Sequence, residues 1–256
     1  MAIRIYDGLP RHGKTALMIN KNISDWLKDS AKRGYKVFSN VYIYLENIKW
    51  LTKLYDGHPE LAIGDIYSEA DREDPTKLIY YWKNIDTWNF MKRGVIICDE
   101  ATRYFNARRW ALLSEDTEIK LQQHGKDRLD IVATTQHWSR LDVSLRVLVE
   151  KFTRVERVIG WGNTIYISRY SDHTLEDLQK WEANPGSFNK DVPEGEEDNG
   201  KKVDFSYFMP WAPWRTPLYD TEQTVGASVP MPLKHMERYC PDPDCKLHKH
   251  PKIVHA

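Results

Sequence analysis

Short apolar runs alternate with amphipathic or polar stretches along the first 150 residues of the chain. Alternating strands and helices favour a mostly parallel sheet wound by right-handed crossovers. Apolar residues recur at helical spacing over residues 14–33, and Gly34 ends that predicted helix. A second, polar helix is predicted around residues 114–126. The predicted strands lie at residues 2–6, 36–43, 94–98 and 129–136, and residues 152–169 alternate as a β-hairpin does.

The pattern changes near residue 182. Asn184-Pro185-Gly186 interrupts it, residues 191–200 hold five acidic residues and no Lys or Arg, and prolines then alternate with aromatics. We therefore divide the chain into a packed domain at residues 1–182 and a linker with an extended arm at residues 183–256.

Composition narrows the class of protein. The 256 residues carry 37 basic and 37 acidic side chains, so any contact with nucleic acid must be local. Three cysteines fit a reducing compartment and no disulfide framework. Neither a signal peptide nor an apolar run of membrane-spanning length is expected from the sequence.

The segment Gly8–Thr15 matches the phosphate-binding pattern G-x-x-x-x-G-K-T between a predicted strand and a predicted helix. Its glycines permit a tight turn, and the helix start is favourable for phosphate. Lys14 is expected to reach the β- and γ-phosphates, and Thr15 to bind Mg²⁺. The predicted nucleotide-binding residues are Gly8, Leu9, Pro10, Arg11, His12, Gly13, Lys14, Thr15, Ala16 and Asp99.

A buried strand at residues 94–98 ends in two carboxylates, Asp99 and Glu100, which is the form of a Walker B segment. Ligands of open α/β sheets bind at the carboxyl edge, where these residues would lie. Asp99 is predicted to hold Mg²⁺ and Glu100 to polarise the attacking water. The alternative is a strand that ends in a solvated Asp-Glu turn.

Gln136 ends the strand predicted next to the Walker B strand, where its amide could contact the γ-phosphate or orient water. An ordinary polar strand end is the alternative. ATP-driven motors commonly take a charge-neutralising arginine from a neighbouring subunit. The candidates for that arginine are Arg128 and Arg146, followed by Arg108 and Arg109.

Together these segments resemble the N-terminal domain of zonula occludens toxin (Zot)-like proteins, which include the assembly ATPases of filamentous phages. The resemblance covers about residues 1–170. It lies in Gly8–Thr15, Asp99-Glu100-Ala101, Phe105-Asn106-Ala107-Arg108, His124 with Leu129-Asp130-Ile131, Thr135-Gln136-His137, and Leu141-Asp142 with Leu145-Arg146 and Leu148-Val149. The family is similar in turn to the FtsK–HerA motors that pump DNA. The resemblance implies a RecA-like P-loop core, ATP hydrolysis, a homo-oligomeric ring and work on DNA or a phage particle.

Filamentous-phage assembly proteins of this type carry a membrane span after the ATPase domain, and none is expected here. The sequence therefore favours a motor that packages a genome into a particle in the host cytoplasm or at an assembly site. The first alternative is an export ATPase recruited to a membrane by a partner. Others are a nucleotide-switched assembly scaffold and, least favoured because no Arg-rich lid is evident, a small-molecule kinase.

The arm offers two further hypotheses. Cys240, Cys245, His248 and His250 form a candidate zinc site, although their spacing departs from zinc-finger patterns and a disordered end is the alternative. Three aromatics among prolines are expected either to dock on a capsid, membrane or neighbouring partner or to pack back on the core: Trp211, Trp214 and Tyr219. Arg154 and Arg157 lie in the first strand of the predicted hairpin. They could face a central DNA channel, but a solvent-exposed face is the favoured interpretation.

Overall fold

The computed structural model describes residues 1–64, 67, 73–107, 114–161, 165–173, 207–211 and 218. Within these residues the strands are β1 (Ile3–Asp7), β2 (Lys36–Ser39), β3 (Ile63–Gly64), β4 (Ile79–Tyr81), β5 (Gly94–Cys98), β6 (Leu129–Thr135), β7 (Val149–Trp161), β8 (Ile165–His173) and β9 (Tyr207–Trp211). The α-helices are α1 (Lys14–Arg33), α2 (Lys49–Leu54), α3 (Glu115–Gln123) and α4 (Val143–Arg146). Short 3₁₀ helices cover Leu45–Asn47, Pro59–Ala62, Ile85–Phe90, Ala101–Arg103 and Trp138–Arg140.

All these strands belong to one sheet in the order β3-β4-β2-β5-β6-β1-β7-β8-β9. The first seven strands in that order are mutually parallel, whereas β8 and β9 add to β7 in antiparallel fashion. The α/β fold class and the RecA-like, mostly parallel core are therefore confirmed. Because β6 lies between β1 and β5, residues after all three strands meet at one carboxyl edge.

Both faces of the parallel sheet are buried. On one face, α1 packs its apolar residues against alternate residues of the strands, such as Val95 and Ile97 of β5. On the other face, Ile96 and Cys98 pack against an aromatic layer that includes Trp88 and Phe105. Burial on both faces explains why these strands are continuous apolar runs in the sequence.

Helix α1 begins and ends at glycines with left-handed backbones. Gly13 (φ 90°) precedes it, and Gly34 (φ 67°) ends it by donating its N–H to the carbonyl of Ser30. Glycine adopts this conformation without a Cβ clash, so the bounds predicted from the sequence are confirmed.

Two predicted elements are shorter than expected. The strand predicted at residues 36–43 ends at Ser39, because the Ser39 hydroxyl contacts both the N–H and the carbonyl of Val41 and closes a turn. The polar helix predicted at residues 114–126 is α3, and its N-cap Ser114 accepts a hydrogen bond from the N–H of Thr117. The predicted hairpin is confirmed as β7 and β8, which pair in antiparallel register.

Two parts of the predicted arm pack back on the first domain. Strand β9, which contains Trp211, pairs with β8 in the main sheet. The carbonyl of Leu218 accepts a hydrogen bond from the N–H of Tyr44, and the Leu218 side chain packs against the core on the α1 face. The division of the chain at residue 182 stays a prediction.

Several predictions lie outside the described residues. They are the zinc-ligand set Cys240, Cys245, His248 and His250, the aromatics Trp214 and Tyr219, and the acidic run at residues 191–198. Among the residues that the structure does describe, no cluster of three or more His, Cys, Asp or Glu suits a metal ion. In that same part of the chain, no helix combines the length and apolarity needed to span a bilayer.

Gly94 tests the packing between β2 and β5. A Cβ at this position would lie 2.1 Å from the backbone oxygen of Lys36, on the neighbouring strand. We expect Gly94→Ala to lower the free energy of unfolding by about 1–3 kcal/mol, because neither backbone can move freely. Urea denaturation measures this change. Gly125→Ala is the control, since no atom lies within 4 Å of its Cβ, and equal losses for the two variants would contradict the packing argument.

Candidate active site

The phosphate-binding loop leaves β1 at the carboxyl edge of the sheet. Its first residue, Gly8 (φ 155°), packs so tightly against β7 that a Cβ would lie 2.2 Å from the carbonyl oxygen of Val155. The Gly8 N–H donates to the carbonyl of Thr135 at 3.3 Å. The loop is thus held by the strands on both sides of β1.

The amino end of α1 is open to an anion. Gly13 gives it no side-chain cap, and its first turn carries no acidic residue. The backbone N–H groups and dipole at such a helix end favour phosphate. The residues present therefore fit a nucleotide phosphate.

Lys14 lies at the base of the loop, only 5% exposed, and its Nζ donates to the carbonyl of Leu9 at 3.0 Å. Burial lowers the pKa of Lys14, and the nearby carboxylates of Glu100, Asp99 and Asp7 oppose that shift. The ammonium group therefore lies close to both predicted Walker B carboxylates, where it can neutralise negative charge on a phosphate.

Asp99 is held by two hydroxyl groups. Thr15 Oγ1 and Thr134 Oγ1 donate to its Oδ1 at 2.7 and 2.6 Å. Burial raises the pKa of Asp99, and so does the charge of Glu100, whereas the two hydroxyls and Lys14 lower it. A carboxylate beside a threonine hydroxyl is a set of hard oxygen ligands, and Thr15 and Asp99 therefore fit Mg²⁺.

The backbone of Asp99 is fixed by Asn40, which follows β2. Asn40 Nδ2 donates to the Asp99 carbonyl at 2.9 Å, and Asn40 Oδ1 accepts from the Asp99 N–H at 2.8 Å. Asn40 is 1% exposed, so this paired contact is shielded from water. It fixes where β5 ends and therefore where Asp99 lies.

Glu100 has a left-handed backbone (φ 56°), which is costly for a residue with a Cβ. Its N–H donates to Thr134 Oγ1 at 3.0 Å. The hydroxyl of Thr134 thus accepts from Glu100 and donates to Asp99, and it connects the two predicted Walker B residues.

Gln136 contacts Glu100 directly. Strand β6, which precedes it, pairs with β5 as predicted. Gln136 Nε2 donates to Glu100 Oε1 at 2.9 Å and to Oε2 at 3.0 Å. This amide can hold the carboxylate that is predicted to activate water, although the sensor role itself stays a prediction.

The structure describes two of the four candidate arginines, Arg128 and Arg146. Arg128 precedes β6 and Arg146 precedes β7, so both lie toward the amino edge of the sheet, away from their own P-loop. Their role in a neighbouring subunit stays a prediction. Arg108 and Arg109 lie outside the described residues.

Arg154 is not the solvated arginine that the sequence favoured. Its guanidinium is 22% exposed and forms an ion pair with the buried carboxylate of Asp7, because β7 places it opposite the end of β1. The channel-facing alternative stays a prediction. The side chain of Arg157 lies outside the described residues.

Sequence reasoning missed three residues of this site: Asp7, Asn40 and Thr134. Each lies at or just after the carboxyl end of a strand of the parallel sheet. A polar residue in that position was the only available signal, and it does not reveal which neighbouring strand supplies the partner.

The chain belongs to the zonular occludens toxin (Zot) family, because the family model matches residues 2–187, more than half of its length. No curated protein matches it in sequence.

Three solved structures illustrate what the chain is similar to. The N-terminal domain of zonular occludens toxin from Neisseria meningitidis is 20% identical, with a TM-score of 0.44, covering 71% of this chain and 89% of that one. The genome packaging NTPase B204 from Sulfolobus turreted icosahedral virus 2, in complex with AMPPCP, is 12% identical, with a TM-score of 0.45 and coverage of 69% and 93%. The flagellar accessory protein FlaH from Methanocaldococcus jannaschii is 16% identical, with a TM-score of 0.42 and coverage of 68% and 78%. At these scores the likenesses give no guidance on function.

Asp99→Asn tests the cost of burying the Asp99 carboxylate. The raised pKa of Asp99 means that ionisation of this carboxyl costs more in the folded protein than in the unfolded chain. An asparagine oxygen can still accept from Thr15 and Thr134, so we expect the melting temperature to rise by a few degrees. Magnesium-dependent ATP hydrolysis should fall at the same time. Asp25→Asn, at an exposed surface pair, serves as control, and a lower melting temperature for Asp99→Asn would contradict the argument.

Thr134→Val tests the hydroxyl that connects Asp99 and Glu100. The substitution keeps the shape of a fully buried side chain but removes both hydrogen bonds. We expect kcat for ATP hydrolysis to fall roughly 10- to 100-fold, because the two carboxylates lose their relative orientation. Thr135→Val is the matched control, since the hydroxyl of the equally buried Thr135 contacts the carbonyl and the N–H of His137, both at 3.3 Å. Equal effects of the two variants on kcat would show that general packing is responsible.

Proposed function

We propose that this protein is an ATP-driven motor that translocates phage or viral DNA, in packaging of a genome into a particle. The observation that carries the proposal is the contact between Gln136 and Glu100, beside Asp99 and an open phosphate-binding loop. This arrangement has a base for water and a group that can respond to the γ-phosphate. The phage and DNA parts of the proposal come from the resemblance to the assembly ATPases of filamentous phages, and membership of the Zot family supports that resemblance.

The chemistry is hydrolysis of ATP to ADP and phosphate. Bound ATP with Mg²⁺ supplies the transferable phosphoryl group and the metal charge. The loop N–H groups and Lys14 hold the phosphates, and Thr15 and Asp99 hold the metal. Glu100 takes a proton from the attacking water once Gln136 no longer occupies its carboxylate. Water suits this site as the acceptor better than a substrate hydroxyl does, because Glu100 directly follows the metal-binding Asp99.

The proposed motor is a homo-oligomeric ring. In its own subunit Arg154 is paired with Asp7, and a neighbouring subunit is proposed to supply the arginine that neutralises transition-state charge. Arg128 and Arg146 are the proposed donors, because both lie away from their own loop. The C-terminal arm is proposed to contact the capsid or a membrane-bound assembly partner.

A nucleotide-switched scaffold is the second candidate. It is favoured by one observation: both oxygens of Glu100 accept hydrogen bonds from Gln136, so the carboxylate is held away from water activation. A protein locked in that state would bind ATP and change shape without turnover.

Steady-state ATP hydrolysis with and without single- and double-stranded DNA separates these candidates. We expect slow turnover alone and stimulation by the DNA form that the motor uses. Lys14→Ala should lose nucleotide binding. Glu100→Gln should keep binding but lose turnover by about 100-fold or more, because the general base is removed.

Glu150→Gln is the control, since Glu150 is an exposed carboxylate on β7. Its turnover should equal that of the wild type. ATP binding without turnover under every DNA condition would contradict the motor and favour the scaffold.

A further inference from the structure

The proposed hydrolysis of ATP does not use one buried carboxylate, which lies where β1 meets the phosphate-binding loop. Asp7 is the last residue of β1 and is 0% exposed. Its Oδ1 accepts a hydrogen bond from the N–H of Trp138 at 3.1 Å, and its Oδ2 pairs with the Arg154 guanidinium of β7. Trp138 follows Gln136 by two residues, so Asp7 connects the loop, the Gln136 segment and the hairpin strand.

Stability alone is a poor reason for this ion pair. Buried ion pairs are on average no more stabilising than apolar residues of the same size, because both charges lose their hydration. Burial raises the pKa of Asp7, and the charge of Arg154 and its hydrogen bond oppose that shift. A guanidinium group has a fixed planar geometry, and it therefore holds a carboxylate in one orientation.

The loop root cannot shift independently of β7. Asp7 lies directly opposite Arg154 in the parallel ladder, and Gly8 touches the carbonyl of Val155 so closely that a Cβ would lie 2.2 Å away. A displacement of the loop would therefore move β7 at residues 154 and 155. Packed elements transmit such displacements because they deform little.

Strand β7 carries that displacement away from the site. It continues from Val155 to Trp161 and pairs with β8 along that length, with one shift of register between Arg157 and Ile159. Six residues of extended chain reach about 20 Å. The hairpin formed by β7 and β8 therefore begins beside the phosphate-binding loop and can carry a displacement of the loop to its far end.

We propose that Asp7 and Arg154 are positioning residues that couple the nucleotide site to the β7–β8 hairpin. Nucleotide binding then changes the conformation of the hairpin and the hydrogen exchange of its amides. Coupling of this kind is reciprocal, so a partner that engages the hairpin changes the affinity for nucleotide in turn. The inference rests on the nucleotide binding in the proposed function and not on DNA translocation.

Hydrogen exchange tests the coupling without DNA or hydrolysis. Exchange of the amides at residues 149–161 is measured with and without a non-hydrolysable ATP analogue and Mg²⁺, in the wild type, Asp7→Asn, Arg154→Gln and the double variant. We expect the analogue to change hairpin exchange about fivefold or more in the wild type. Each single variant should lose this response, and the double variant should show the same loss as the single ones.

Lys151→Gln is the matched control, because Lys151 is exposed on the same strand, and it should respond as the wild type does. Circular dichroism checks folding, and Arg154→Lys, which keeps the charge but lacks the planar guanidinium, replaces a variant that unfolds. It too should lose the response.

The proposal would be overturned if the analogue left amide exchange in the wild-type hairpin unchanged. It would also be overturned if both single variants kept the wild-type response. A loss in Arg154→Gln but not in Asp7→Asn would also overturn it, because Arg154 would then act on the nucleotide directly. Failure of the motor proposal would appear elsewhere, as absent DNA stimulation with the hairpin response intact.

Discussion

The burial of Asp99 beside a second carboxylate is the constraint on which the rest of the site depends. Two adjacent negative charges at the edge of a buried sheet are unfavourable unless each is hydrogen-bonded. Thr134 contacts both residues, Thr15 donates to Asp99, and Gln136 donates to Glu100. These contacts come from the end of β6 and the start of α1, whereas the two carboxylates follow β5, and so the sheet order is part of the chemistry.

The position of β6 between β1 and β5 explains the arrangement. Were β1 and β5 direct neighbours, no strand end would lie between the phosphate-binding loop and the Walker B residues. Instead β6 places Thr134 beside Asp99 and carries Gln136 beyond it to Glu100. In the proposed function, a change at the γ-phosphate would reach β6 through the same contacts that hold the carboxylates.

Local sequence patterns predicted the loop, α1, β5 and β6, because glycine positions and apolar runs determine those elements without reference to the rest of the chain. The partners of Asp99 were not predictable in this way. Asn40 is 59 residues away in sequence and Thr134 is 35 residues away, and only the sheet order brings them together. Arg154 was misjudged for the same reason, since its partner Asp7 lies 147 residues earlier and nothing local distinguishes it from a solvated arginine.

Two residues of the site have left-handed backbone conformations, which are unfavourable for a residue with a Cβ. Glu100 keeps a left-handed backbone although it has a Cβ, and the same is true of Arg11 in the loop. Such residues persist only where their surroundings over-determine them. For Glu100 the surroundings are the Thr134 hydroxyl at its N–H and the Gln136 amide at its carboxylate. Since β6 supplies Thr134 and Gln136 follows directly after it, a shift of that strand end would release both restraints together, and Glu100 would become free to meet water.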